Sequence, residues 1–109
     1  MIKRGYKARL YVMGRSKDDL LKIGFSNNPE RRRRQLCSHG TLRLLHVGGR
    51  AYANPYHPEK AAHQLLNQIA PCAEGEWFRV SVTQAIRAID EVEQTHTHAE
   101  GPPRVRQAS

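Results

Sequence analysis

The sequence predicts an α/β domain: a small, mainly antiparallel sheet of three strands with helices packed around it. Two short apolar-rich runs flank a polar loop, which reads as a hairpin. Two later stretches repeat their apolar residues at helical spacing behind cap signals. At 109 residues the chain is long enough for one compact domain with one core and too short for two. We therefore expect one domain over residues 1–94 and a disordered tail over 95–109.

The hairpin comes first. RLYVM (residues 9–13) and LLKIGF (residues 20–25) lie either side of GRSKDD, a polar segment with a leading glycine. A ladder symmetric about that loop sets Tyr11 directly across from Lys22, with both on one face, since side chains alternate along a strand. The opposite face then collects Leu10, Val12, Leu21, Ile23 and Phe25 for the core. Gly24 falls on the Tyr11 face, where its missing side chain leaves room for something to approach the backbone.

A helix follows. Asn27 or Asn28 can cap it, Pro29 suits its first position, and it should run to about Cys37. Arg31, Arg32, Arg33 and Arg34 step around its axis by about 100° each, so at least one leans inward. TLRLLHV (residues 41–47) reads as the third strand, and GGRAYANPYHP after it as irregular.

Pro58 opens the next helix, whose apolar stripe is Ala62, Leu65, Leu66 and Ile69. Glu59 sits at the edge of that stripe in the first turn. EWFRV is a further strand-like segment whose Trp77 and Phe78 plug the core. Ser81 and Gln84 form a capping box for a last helix, marked by Val82, Ala85, Ile86, Ile89 and Val92 and ending near Gln94.

Charge points to the partner. The formal net charge is +8 and the pI about 10.1. Of the 18 basic residues 13 are arginine, whose planar guanidinium suits phosphate oxygens, so a nucleic acid is the expected ligand. No apolar run approaches the roughly 18 residues a membrane span needs, and the N-terminus lacks a signal core. Two distant cysteines, Cys37 and Cys72, do not make a disulfide scaffold. A cytoplasmic protein with no membrane partner is the resulting expectation.

The string LYVM, eight residues, KIG, then SNNPERRRRQL, with GEWF at residues 75–78, resembles the GIY-YIG nuclease superfamily. It is most similar to the small single-domain branch of phage Orf172 and meiotically up-regulated gene type. The resemblance spans about Leu10 to Arg79 and implies a DNA endonuclease that hydrolyses a phosphodiester with water. It places Tyr11 at the tyrosine of the first motif and Lys22 where the second motif usually has its tyrosine. Arg32 stands at the arginine that contacts the scissile phosphate. Glu59, with His63 four residues on, stands at the carboxylate that holds one divalent cation, Mg²⁺ or Mn²⁺. Leu36 occupies the place of a family histidine, and the late asparagine of many members has no counterpart.

The residue types suit that chemistry. An ammonium beside a phenol favours phenolate, so Lys22 would activate Tyr11 as base, with Arg32 as phosphate clamp and Glu59 as metal anchor. Gly24, Arg31, Arg33, Arg34 and Arg43 would meet the DNA backbone. Plainer readings stand beside these: a surface strand tyrosine, a solvated lysine, a helix-start carboxylate favoured by the macrodipole, and Arg31 or Arg33 in place of Arg32. The alternative function is a DNA-binding module that keeps the fold without turnover. With so little surface to read a long site, a homodimer or a partner protein would supply specificity. Glu74 and Glu76, loop carboxylates beside a core tryptophan, read as solvated, and His96 with His98, in the expected tail, lack a third ligand for a metal site.

Overall fold

The computed structural model describes residues 7–16, 18–36, 41–70, 72–74 and 77–95. The elements in chain order are β1 (Ala8–Arg15), β2 (Leu20–Ser26), α1 (Pro29–Leu36), β3 (Leu42–Tyr52), α2 (Tyr56–Ile69), β4 (Cys72–Glu74), β5 (Trp77–Phe78) and α3 (Val82–Thr95). The sheet has the order β3-β1-β2-β5-β4 and every pairing is antiparallel. The α/β class holds, and the three expected strands form the longer part of the sheet. The short pair β4 and β5 extends it to five, where EWFRV alone read as strand-like. The expected tail lies, apart from Thr95, outside the described residues, as do Cys37, His39, Gly75, Glu76, His96 and His98.

The hairpin register differs from the symmetric one by two residues. Tyr11 pairs with Gly24, while Lys22 pairs with Met13, and the ladder closes at Arg15 opposite Leu20. Two residues is an even slip, so each side chain keeps its expected face. The cause is a shorter loop. The Asp18 carboxylate accepts from Arg15 Nε at 3.1 Å, from Arg15 Nη2 at 2.8 Å and from the Leu20 backbone N–H at 3.4 Å. Asp19 takes a positive φ of 60°, a conformation that aspartate tolerates, and donates its N–H to Arg15 O at 2.8 Å. These bonds let both strands run up to the turn.

The two faces of the sheet carry separate cores. On one, Leu10, Val12, Leu21 and Ile23 pack with Ala62 and Leu66 of α2, Ala85, Ala88, Ile89 and Val92 of α3, and with Tyr52 and Phe78. On the other, Tyr11, Met13 and Leu42 are buried under Leu36 of α1, Leu44 and Trp77. Trp77 and Phe78, expected to fill one core together, therefore go to opposite faces, as neighbours on a strand must.

Each helix is fixed at its start. Asn28 Oδ1 accepts from the Arg31 N–H at 3.1 Å, the expected cap for α1. Ser81 and Gln84 form the reciprocal box of α3 at 2.9 and 3.0 Å. Helix α2 begins two residues before Pro58 and is capped by Pro55, whose carbonyl accepts from the Glu59 N–H at 3.0 Å. Prolines serve there because first-turn N–H groups have no partner within the helix. Ile69, in its last position, is 50% exposed and leaves the core to Ala62 and Leu66. Of the stretch expected to be irregular after Val47, residues 48–52 belong instead to β3, which reaches Tyr52 with two register shifts against β1. Residues 53–55 are irregular as expected, and Tyr56 to Pro58 open α2. Among the described residues no helix is long and apolar enough to cross a membrane.

At Gly24 the ring of Tyr11 takes the place a side chain would need. A Cβ there would lie 2.5 Å from Tyr11 Oη and 2.7 Å from its Cζ. Gly24→Ala should therefore destabilise the domain by about 1–3 kcal/mol, the cost of overpacking, in urea melts followed by circular dichroism. Gly49→Ala is the control, since a Cβ there meets nothing within 4 Å, and it should cost nothing measurable.

Candidate functional site

Four elements meet at one open cleft of about 380 Å³, lined by Tyr11, Lys22, Gly24, Phe25, Arg32, Tyr56 and Glu59. Tyr11 comes from β1, Lys22 and Gly24 from β2, Arg32 from α1, and Tyr56 and Glu59 from the first turn of α2. The structure thus brings together all four residues assigned to a reacting centre, and Gly24 with them. Tyr11 and Lys22 share the cleft as diagonal rather than direct cross-strand neighbours.

Tyr11 is 1% exposed, with its ring lying over Gly24, so the phenol cannot swing along the strand. Lys22 stands on the same face and its Nζ lies 5.9 Å from the centroid of Trp77, the residue paired with it on β5. Arg15 covers the same ring at 4.5 Å, held there by Asp18. Both cations are drawn to one indole, and of the two Lys22 brings its charge to the cleft while that of Arg15 is paired with Asp18.

The arginines of α1 divide by direction. Arg33 is the one that leans inward: its Nε donates to Glu30 at 2.9 Å and its Nη1 to the Leu42 carbonyl of β3 at 3.4 Å. Arg32 points into the cleft, exposed, with a 3.5 Å donation to Gln35 Oε1. Arg31 and Arg34 are exposed, and Arg34 Nη1 lies 3.7 Å from Glu30. Arg43 is elsewhere. It pairs across β3 and β1 with Gly14 and lines a separate pocket of about 500 Å³ on the face covered by α3.

The cleft holds a single carboxylate, Glu59, half-buried. Among the described residues no three His, Cys, Asp or Glu side chains cluster as ligands. One hard oxygen donor beside room for water and a phosphate suits magnesium, which keeps several waters and rarely has an all-protein cage. It does not suit metals that need thiolate or imidazole. The residues present therefore fit Mg²⁺ or Mn²⁺ at Glu59.

Sequence reasoning gave His63 no role, and the structure supplies one. Its Nε2 lies 2.7 Å from the Ile23 carbonyl, and because a carbonyl only accepts, Nε2 carries the proton and donates. The ring also packs against Phe78 at 5.4 Å. His63 lies one helical turn beyond Glu59, and Ile23 precedes Gly24, so this bond fixes α2 against the strand that carries the cleft floor. The signal in the sequence was the spacing from Glu59, whose meaning depends on the packing.

A small antiparallel α/β domain with an arginine, a lysine, a tyrosine and one carboxylate around one cleft is the class of protein this structure defines. The chain belongs to the T5orf172 domain family, which matches residues 8–93. No curated protein and no solved structure matches it.

Exchanging the two central arginines separates their tasks. The hydrogen bond from Arg33, helped by the charges of Arg33 and Arg34, holds the Glu30 carboxyl below its usual pKa. A depressed carboxylate stabilises the fold above its unfolded pKa and loses that contribution as pH falls through the folded one. Arg33→Ala should lower the urea midpoint at neutral pH, by less as Glu30 protonates in acid. Arg32→Ala should leave the midpoint unchanged at either pH.

Proposed function

We propose that this protein is a metal-dependent DNA endonuclease of the GIY-YIG type, hydrolysing a phosphodiester with water. The observation that carries the reading is the convergence of Tyr11, Lys22, Arg32 and Glu59 on one cleft from four separate elements. The T5orf172 family is related to nuclease-like domains, which supports it further.

Each side chain has a task suited to its surroundings. Tyr11, fixed over Gly24, takes the proton of the attacking water, and Lys22 brings a positive charge to the same cleft. Water oxygen bonds to phosphorus as the bond to the leaving sugar oxygen breaks. Arg32 donates to the non-bridging oxygens, where negative charge builds in the transition state. Glu59 would hold Mg²⁺ or Mn²⁺, which when bound stabilises the charge on the leaving oxygen. Arg31 and Arg34, exposed on the same helix, would meet flanking phosphates, with Arg33 committed to Glu30 and Leu42. Arg43, on the other face, would meet DNA only where the duplex or a second copy wraps around the sheet.

The second reading, a DNA-binding module without turnover, is favoured by one observation: Lys22 stands where the nuclease pattern has its second tyrosine. Supercoiled plasmid with Mg²⁺ or Mn²⁺ separates the two. Nicking that needs metal and is lost in Glu59→Ala and Tyr11→Phe is expected. Arg32→Ala should slow it by about 10²–10³-fold, the usual cost of one transition-state donor. Salt-sensitive binding without nicking would establish the second reading instead.

A further inference from the structure

Tyr56 has no place in the chemistry above, yet it is 63% exposed at the lip of the same cleft. It begins α2, three residues before Glu59 and on the same turn. Its ring is held edge-to-face against Phe25 of β2, with centroids 5.1 Å apart and planes at 75°. This packing restrains the ring without covering it, so a flat aromatic surface stands in water beside two cations. Exposed aromatics scattered singly need no account, but one fixed at the edge of a cleft that holds Lys22 and Arg32 does.

Arg32 and Tyr56 line the same cleft, so a phosphate held at Arg32 would bring its attached base toward the lip. In a paired duplex that base is stacked in the helix and turned toward its complement. It can lie on Tyr56 only when it is unpaired or turned out of the stack. Resting on the nuclease reading of this cleft, we propose that Tyr56 is a base-stacking residue that selects DNA with an unpaired nucleotide beside the scissile phosphate, such as a flap, gap or branch. Stacking is indifferent to base identity, since each base has a π face, so the selection is for structure over sequence. This accords with a domain too small to read a long site.

Fluorescence anisotropy in EDTA tests this without turnover, comparing a duplex with the same duplex carrying a single-stranded flap labelled with 2-aminopurine at the junction. Wild type should prefer the flap by about tenfold, within the range of one base–aromatic stack, and should quench the 2-aminopurine. Tyr56→Ala should bring the affinity ratio near one and remove the quenching, whereas Tyr56→Phe should keep both. An equal ratio in wild type and Tyr56→Ala, or a wild type that binds duplex and flap alike, overturns the proposal while leaving the nuclease reading standing. Absence of binding to either DNA removes both together.

Discussion

The ring of Tyr11 over Gly24 is the contact on which the rest of the site depends. An alanine methyl at residue 24 would occupy the space of the phenol, so the pairing requires a glycine there. With the phenol laid across β2, Lys22 is carried two residues along toward Trp77, and the floor of the cleft remains open. The burial of Tyr11 joins this polar group to a small core under α1, which also positions Arg32.

The other wall comes from α2, which reaches the sheet from the opposite core. Ala62 and Leu66 anchor it under β2, and the His63 bond to the Ile23 carbonyl sets its position along that strand. Non-directional apolar packing allows a helix to slide, whereas a hydrogen bond to one carbonyl does not. Glu59, one turn earlier, is therefore held at the strand end where Gly24 lies. The cleft thus depends on two cores and one polar pin, with the carboxylate and the guanidinium coming from different sides of the sheet.

The alternation of apolar residues in β1 and β2 is enough to read which face each side chain takes, and that reading holds. It is blind to a slip of two residues, because an even slip preserves every face. What decides between the two registers is the turn, through Asp18 gripping Arg15 and Asp19 at positive φ, together with the Gly24 vacancy. Helix caps at Asn28 and at Ser81 with Gln84 were legible because they are local. The extension of β3 to Tyr52 was not, since its glycines and Arg50 look like loop. The strand is held there by cross-links distant in sequence: Arg9 Nη1 donates to the Gly48 carbonyl at 3.1 Å, and the Arg50 N–H donates to Glu93 at 3.2 Å. Tyr56 shows the same limit. Nothing in the sequence places it with Arg32, from which it is separated by the whole of β3.

The central claim, that this pairing opens a cleft in which Glu59 holds a metal ion, is most directly tested by paramagnetic broadening. Mn²⁺ in small amount would be added to ¹⁵N-labelled protein bound to a short DNA duplex, and amide intensities read residue by residue. The account predicts loss centred on Glu59, with Tyr11 and Gly24 next, and none of it in Glu59→Ala. Broadening centred on carboxylates elsewhere, such as Asp90 and Glu91 of α3, with Tyr11 and Gly24 untouched, would contradict it.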